Sequence, residues 1–208
     1  NQIITINFLD LLIMIILSII IIELFRNKKN PLLNISITLG GLLYIPVLLS
    51  PLLILRNFNF KSITSYDFGM VIIFVIFIAT WVCDASALYF GKFLGRNKLF
   101  SRVSPNKTLE GAFGGFIGSF LIYLLFHCFS FHIIFIEYLS KIHIFFIFLI
   151  IPIGAQIGDL SESLLKRNFG LKDSSRLLGG HGGFLDRFDS ILFSSPLIYL
   201  YFKFFILI

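Results

Sequence analysis

The sequence predicts an all-α, polytopic integral membrane protein with about six transmembrane helices and a polar active site at the cytoplasmic interface. Hydrophobic residues make up 57% of its 208 residues, charged residues make up only 13%, and the mean hydropathy is +0.95. A water-soluble domain needs more polar surface than this. The apolar runs are continuous rather than alternating, which excludes a transmembrane β-barrel.

Six apolar runs are long enough to cross a bilayer, which requires about 20 residues per helix. They cover residues 3–25, 32–55, 68–91, 111–134, 142–160 and 190–208. The second run contains Pro46 and Pro51, which predict a kinked or broken helix. The fourth run has a face of small residues that would allow close packing against another helix. This face comprises Gly111, Ala112, Gly114, Gly115 and Gly118.

The basic residues are concentrated on one side of the predicted membrane. Of the 17 lysines and arginines, 13 lie in the alternate loops 26–31, 92–107 and 161–189. The positive-inside rule places these loops in the cytoplasm and both termini of this chain outside. The two longer loops therefore share one side and can form one site. Because the net charge of +6 is explained by loop position, we expect no nucleic-acid partner.

The segment 159–190 contains five acidic and five basic residues. If the fifth helix continues past residue 158, Asp159, Glu162, Ser163 and Lys166 lie on one helical face. Two carboxylates, a hydroxyl and an ammonium group on one face suit a metal-bound phosphate. The alternative interpretation is an exposed helix end stabilised by ion pairs.

A glycine-rich turn, Gly179–Gly183, follows this helix and surrounds His181. Glycines allow backbone N–H groups to point at anionic oxygen, although such a turn is often only a loop and its histidine only a hydrogen-bonded loop residue. Asp186 and Asp189 come directly afterwards and could present two carboxylates. Mg²⁺ prefers such oxygen ligands. The sequence has no His/Cys cluster that fits zinc. It also has no P-loop motif for binding nucleotide.

The third loop and the third apolar run supply further candidates. Ser104, Lys107 and Thr108 could contact phosphate or nucleotide. Thr108 could equally cap the fourth helix, with Glu110 in its first turn, and the two roles are compatible. Asp84 lies near the cytoplasmic end of the third run, where a carboxylate is either functional or reaches to the membrane surface; we favour a functional role.

Residues 163–189 resemble the phosphatidate cytidylyltransferase, or CDP-diacylglycerol synthase, family over 27 consecutive positions. The fixed residues of that motif occur here as Ser163, Lys166, Arg167, Lys172, Asp173, Ser175, Gly179, His181, Gly182, Gly183, Asp186, Arg187 and Asp189. The segment 104–111 and the segment around Asp84 resemble two other family stretches. Departures from the family pattern occur at Ala85, Ser86, Leu88 and Leu109.

The resemblance covers residues 81–196 and implies a catalytic transmembrane domain over 81–208. Residues 1–80 would be N-terminal transmembrane helices, incomplete at the N-terminus. The implied reaction transfers CMP from CTP to phosphatidic acid and yields CDP-diacylglycerol and pyrophosphate. It implies an enzyme of phospholipid biosynthesis in the bacterial inner membrane, with its active site facing the cytoplasm. The lipid phosphate would attack the α-phosphorus of CTP directly, without a protein nucleophile.

The resemblance also implies roles for individual residues. Asp159 and Asp186 would hold Mg²⁺, with a second cation left open, and would act with Lys166 and Arg187 in catalysis. Substrate binding would involve Ser104, Lys107, Thr108, Ser163, Arg167, Lys172, His181, Gly182 and Gly183. Supporting roles would fall to Asp84, Glu110, Glu162, Asp173 and Asp189. The expected partners are CTP, phosphatidic acid and the bilayer, and a homodimer is left open.

Two alternatives remain at this stage. One is a related enzyme, either a polyprenyl or archaeal-lipid cytidylyltransferase or a lipid kinase of similar architecture. The preferred nucleotide and lipid acceptor would distinguish these enzymes. The other is a cation-coupled transporter. A transporter is expected to place its ionisable residues near the middle of the bilayer, whereas here they cluster at one interface.

Overall fold

The computed structural model describes residues 8–26, 29–58, 68–128, 139–171, 173–175 and 182–206. Within these ranges the chain forms six helices and one two-stranded hairpin. The helices are α1 (Phe8–Arg26), α2 (Pro31–Arg56), α3 (Phe68–Leu94), α4 (Leu109–Cys128), α5 (Lys141–Asn168) and α6 (Leu185–Phe205). The strands are β1 (Lys98–Phe100) and β2 (Ser104–Thr108).

Each apolar run identified in the sequence corresponds to one helix. Among the described residues, four helices are long and apolar enough to cross a membrane, namely α2, α3, α4 and α5. The prediction of six crossings remains a prediction. Helix α2 is continuous through Pro46 and Pro51, so the predicted break is absent, and the alternative of a kink stays a prediction. Apolar helices of this kind tolerate proline because neighbouring groups and local adjustments satisfy the freed carbonyl.

The chain divides into two compact units, Asn1–Val47 and Leu48–Ile208. In the first unit, the largely buried Glu23 of α1 accepts a hydrogen bond of 2.5 Å from the side-chain amide of Asn34 in α2. Arg26 lies 3.5 Å from the same carboxylate. The domain boundary expected between residues 80 and 81 falls inside α3 and remains a prediction.

The core of the second unit is formed chiefly by α3, α5 and α6. Its fully buried side chains are aliphatic and aromatic, and they include Ile72, Val75, Ile76, Ile147, Ile151, Ile198 and Phe202. Helices α5 and α6 approach closely at Gly154, where a Cβ atom would lie 2.6 Å from the Cα of Ser194. This packing holds the C-terminal part of α5 against the N-terminal part of α6, where the polar residues lie.

Helix α4 packs against α3 through the small-residue face that the sequence predicted. A Cβ atom added at Gly111 would lie 2.8 Å from the carbonyl oxygen of Ala87, and one at Gly115 would lie 2.9 Å from the Sγ of Cys83. These positions are one helical turn apart, and they allow the two backbones to approach closely. The prediction of close helix packing is confirmed.

We expect Gly118→Ala to lower the free energy of unfolding by about 1–3 kcal/mol, because overpacking a tight contact strains both helices. The new methyl group would lie 2.7 Å from the Cβ of Ser86. Gly40→Ala is the matched control, since no atom lies within 4 Å of its added Cβ. Thermal unfolding in detergent measures both variants, and equal melting temperatures would contradict the close α3–α4 contact.

The β-hairpin is a correction to the all-α prediction. Strands β1 and β2 pair antiparallel, with Lys98 opposite Thr108 and Phe100 opposite Ser104, and the register shifts between these pairs. The sequence did not reveal the strands because they have three and five residues and lack a regular alternation. The hairpin joins the end of α3 to the start of α4, and it carries Lys107.

Candidate active site

Helix α5 continues past Gly158 to Asn168, which is the condition that the sequence argument required. Asp159, Glu162, Ser163 and Lys166 therefore lie along one side of its last turns. A Cβ atom at Gly158 would lie 3.2 Å from the Cα of Ser190, so α5 and α6 are in close contact at this level. The predicted polar face of α5 consequently meets the start of α6.

Lys166 links two carboxylates. Its Nζ lies 2.7 Å from Oε2 of Glu162 and 2.7 Å from Oδ1 of Asp186. The Glu162 side chain is only 1% exposed, and those of Lys166 and Asp186 are 16% and 13% exposed. Because burial removes most of the water that would solvate these charges, each group depends on the others for neutralisation.

The carboxylate of Asp186 is hydrogen-bonded by two segments that precede α6, one at Ser174 and one at Gly183. Its Oδ2 accepts hydrogen bonds from the backbone N–H of Gly183 at 2.7 Å and from the N–H and hydroxyl of Ser174 at 2.9 and 2.8 Å. Gly182 precedes this contact with φ of +78°, which favours glycine. Partial burial opposes ionisation of Asp186, but hydrogen bonds from Lys166, Gly183 and Ser174 outweigh it and hold its pKa well below the usual range.

A second ion pair connects the hairpin to α5. The Nζ of Lys107 lies 2.5 Å from Oδ2 of Asp159, and the two side chains are 26% and 36% exposed. The carboxylate of Asp84 in α3 interacts electrostatically with both of these charges, and the side chain of Ser190 lies close to it. Three helices and the hairpin therefore contribute charged groups to one region of the second unit.

The acidic residues of this region lie near one another. Asp189 interacts electrostatically with Asp84 and Asp159, and its side chain is close to that of Glu162. Oε1 of Glu162 is buried and has no hydrogen-bond partner among the described residues. Neighbouring carboxylates with a buried, unpartnered oxygen suit a hard cation.

The described residues nevertheless contain no group of three or more His, Cys, Asp or Glu side chains arranged to hold a metal ion. The two carboxylates expected to share Mg²⁺ belong to separate ion pairs, Asp159 with Lys107 and Asp186 with Lys166. The shared metal site of Asp159 and Asp186 remains a prediction.

Glu110 closes the base of the hairpin. Its Oε2 accepts the backbone N–H of Arg96 at 3.0 Å, and its Oε1 accepts the side-chain amide of Asn97 at 2.8 Å. Both carboxylate oxygens lie 3.2 Å from the N–H of Asn97. The backbone N–H of Leu109 donates to the Asn97 carbonyl at 2.9 Å. These bonds fix the hairpin between α3 and α4 and so set the position of Lys107.

We expect Glu110→Ala to increase amide hydrogen exchange at Arg96 and Asn97 by about tenfold, because their N–H groups lose a charged acceptor. Exchange at the buried Ile147 of α5 serves as the internal control. Unchanged exchange at both hairpin amides would show that Glu110 does not hold the hairpin.

The remaining predicted residues differ in what the structure shows of them. Thr108 is largely buried, and its hydroxyl accepts the N–H of Gly111 at 3.1 Å, so the predicted helix cap is confirmed. Ser104 is half-buried in β2, Ser163 is nearly buried in α5, and Arg167 donates to the carbonyl of Leu171 at 3.2 Å. Their contacts with substrate remain predictions.

Asp173 and Arg187 are exposed, and each precedes or follows a residue of the Ser174–Asp186 contact in the sequence. Lys172 and His181 lie outside the described residues. The sequence did not identify Ser174, Ser190 or Gln156 as site residues. Gln156 lies one turn before Asp159 and donates at 3.0 Å to the carbonyl of Ala112, which joins α5 to α4. Only the position of Ser174, within the glycine- and acid-rich segment, could have suggested a role.

Comparison with known proteins places this geometry in context. The model of the family described as "Cytidylyltransferase family" matches residues 2–205 of the chain. Proteins named phosphatidate cytidylyltransferase match at 42% identity in Staphylococcus saprophyticus and Staphylococcus aureus and at 41% in Staphylococcus haemolyticus. Each alignment covers 131 residues, which is 62% of this chain and 48% of the relative.

The chain therefore spans about half the length of the curated relatives it matches. The family model, in contrast, covers nearly all of the chain, including the hairpin, the polar end of α5 and the start of α6. This match agrees with the resemblance identified from the sequence motifs. The chain belongs to the cytidylyltransferase family.

Proposed function

We propose that this chain carries out the Mg²⁺-dependent transfer of CMP from CTP to phosphatidic acid. The products are CDP-diacylglycerol and pyrophosphate. The observation that carries the proposal is the pair of lysine–carboxylate contacts made by α5, at Asp159 with Lys107 and at Lys166 with Asp186. The two α5 residues are seven positions apart, about 10 Å along the helix. Two phosphate groups can therefore be held by different lysines in one site.

The chemistry proposed for these residues is positioning and charge neutralisation. A phosphate oxygen of the lipid attacks the α-phosphorus of CTP, a new P–O bond forms, and the bond to the β-phosphate breaks as pyrophosphate leaves. Lys107 and Lys166 would exchange a carboxylate partner for a phosphate oxygen as the substrates bind. Fixed cations that balance the charge of the transition state accelerate such a transfer without a covalent enzyme intermediate.

The carboxylates of this region have the chemistry that a hard cation prefers, but among the described residues no three of them are arranged around one point. Asp159, Asp189 and Glu162 supply oxygen ligands of the kind that Mg²⁺ prefers, and Glu162 Oε1 is buried without a partner among the described residues. The oxygens of Asp186 already accept several hydrogen bonds, so of the two expected ligands Asp159 fits better. When bound, Mg²⁺ supplies further neutralisation of phosphate charge. A second cation remains open.

The proposed location is the bacterial inner membrane, with all six helices crossing it and the site on the cytoplasmic side. Support comes from the basic loops 26–31, 92–107 and 161–189, which the positive-inside rule assigns to the cytoplasm. CTP is water-soluble and phosphatidic acid lies in the bilayer. A site at the cytoplasmic ends of the helices would give both substrates access.

The proposal is tested with purified protein in detergent, labelled CTP, phosphatidic acid and Mg²⁺. We expect CDP-diacylglycerol and an equal amount of pyrophosphate, and a KM for CTP that rises about tenfold or more in Lys107→Gln. Lys203→Gln, an exposed lysine in the last turn of α6, is the matched control. Turnover only with another nucleotide or lipid phosphate would favour a related lipid enzyme. Absence of turnover with every acceptor would contradict the proposal.

A further inference from the structure

Four aromatic rings connect α3 to the start of α6, and together we call them the aromatic ladder: Trp81, Phe77, Phe188 and Phe184. The rings of Phe184 and Phe188 are stacked with centroids 4.4 Å apart. Phe77 meets Phe188 edge-on at 6.2 Å and meets Trp81 edge-on at 5.6 Å. These separations lie in the range at which aromatic pairs attract one another, so each ring helps to fix its neighbour.

The aromatic ladder borders the candidate active site at both of its ends. Phe184 and Arg187 are three positions apart at the start of α6, so they lie on neighbouring parts of one helical face. At the other end, Trp81 lies three residues before Asp84 on α3, so the two side chains lie on neighbouring parts of one helical face. Apolar rings therefore adjoin the charged groups on two elements at once.

The ends of the aromatic ladder are open and its middle is held in place. Trp81 is 58% exposed and Phe184 is 54% exposed, whereas Phe77 and Phe188 are half-buried between the helices. Fixed middle rings and open end rings form a continuous apolar strip. Hydrocarbon placed along it would gain dispersion contacts at little cost in side-chain entropy, because the rings are already ordered.

We propose that the aromatic ladder binds an acyl chain of the lipid substrate. This inference rests on the proposed function, and it adds that the lipid phosphate is held near Lys166 and Arg187. A lipid whose phosphate is held there must carry its hydrocarbon away from the charged groups. The aromatic ladder begins beside Arg187 and offers the adjoining apolar surface. Phe184 and Phe188 would then select a long-chain phosphate over a water-soluble phosphate ester.

Trp81 makes the proposal testable without turnover, because it is the single tryptophan of the chain. Bromine atoms quench indole fluorescence on contact. The protein is reconstituted in phosphatidylcholine vesicles that contain either brominated-acyl phosphatidic acid or the same mole fraction of brominated-acyl phosphatidylcholine. We expect phosphatidic acid to quench Trp81 about twofold more strongly, because specific binding concentrates its chain at the ring. Phe188→Leu, which removes the ring but keeps an apolar side chain, should abolish the difference.

Phe113→Leu on α4, which replaces a 69% exposed ring, is the matched control and should keep the difference. In the CTP assay, Phe188→Leu should raise the KM for long-chain phosphatidic acid about tenfold and leave the KM for CTP unchanged. Equal quenching by the two brominated lipids would overturn the acyl-chain site and indicate ordinary bilayer contact. Turnover with equal quenching would remove only this inference, whereas selective quenching without turnover would remove only the proposed reaction.

Discussion

Asp186→Asn is expected to reduce CDP-diacylglycerol formation by about 100-fold or more, because it disrupts the best-connected charged group of the candidate site. The carboxylate accepts bonds from Lys166, Ser174 and Gly183. An asparagine must turn an NH₂ group toward donors on one of its sides, so at least one N–H or hydroxyl loses its acceptor. The measurement is turnover of detergent-solubilised protein, with Asp10→Asn of α1 as the control.

The same variant has a predicted pH signature. A carboxylate whose folded-state pKa is depressed stabilises the fold at pH values above its unfolded pKa, and this contribution is lost as the pH falls through the folded-state pKa. Wild-type protein should therefore lose stability below about pH 4, and Asp186→Asn should show a shallower decline over the same range. Identical acid unfolding curves for both proteins would contradict the depressed pKa of Asp186.

Lys166→Met is the second large expected effect, and it acts on stability as well as activity. Removing the ammonium group leaves the carboxylate of Glu162, which is only 1% exposed, without its cation. Breaking such a buried pair lowers the free energy of unfolding by about 3 kcal/mol. Turnover should fall as well, because Lys166 is also the cation nearest Asp186. Thermal or denaturant unfolding in detergent measures the first effect, and the CTP assay measures the second.

A double variant separates these two effects. Glu162→Gln in the Lys166→Met background removes the uncompensated buried charge, so it should recover about 1–2 kcal/mol of stability. Activity should stay low, since the lysine that we propose to bind phosphate is still missing. If the double variant is no more stable than Lys166→Met, Glu162 and Lys166 are not energetically coupled in the way their 2.7 Å contact indicates.

The helices could be predicted because their signals are local. Uninterrupted apolar runs marked all six, and the spacing of Gly111, Gly115 and Gly118 marked the side of α4 that contacts α3. The continuation of α5 beyond Gly158 was only a condition for placing Asp159, Glu162 and Lys166 on one face, and the helix meets it by extending to Asn168. The helix start at Thr108 could be predicted for the same local reason, because a capping side chain accepts a backbone N–H only three residues further along the chain.

What the sequence did not reveal depends on contacts between distant segments. The glycine-rich turn was expected to direct N–H groups at a substrate anion, but the N–H of Gly183 binds the carboxylate of Asp186. Lys107 and Asp159 are 52 positions apart, and only the hairpin brings them together. The hairpin itself has too few residues for a periodic pattern. Pairings of this kind are set by tertiary packing, which a single sequence does not encode in any local spacing.

The buried carboxylate of Glu162 has a hydrogen-bond partner on only one of its two oxygens among the described residues. We infer that the stability of the fold and the proposed chemistry make opposite demands on this side chain. Its Oε1 lacks a partner among the described residues, and an unpaired buried oxygen makes the folded state less stable than a neutral side chain would. Glu162→Gln would therefore be expected among variants selected for resistance to heat alone. We expect selection for the proposed activity to restore the glutamate. We therefore expect heat tolerance and the proposed activity to oppose each other at this position of α5.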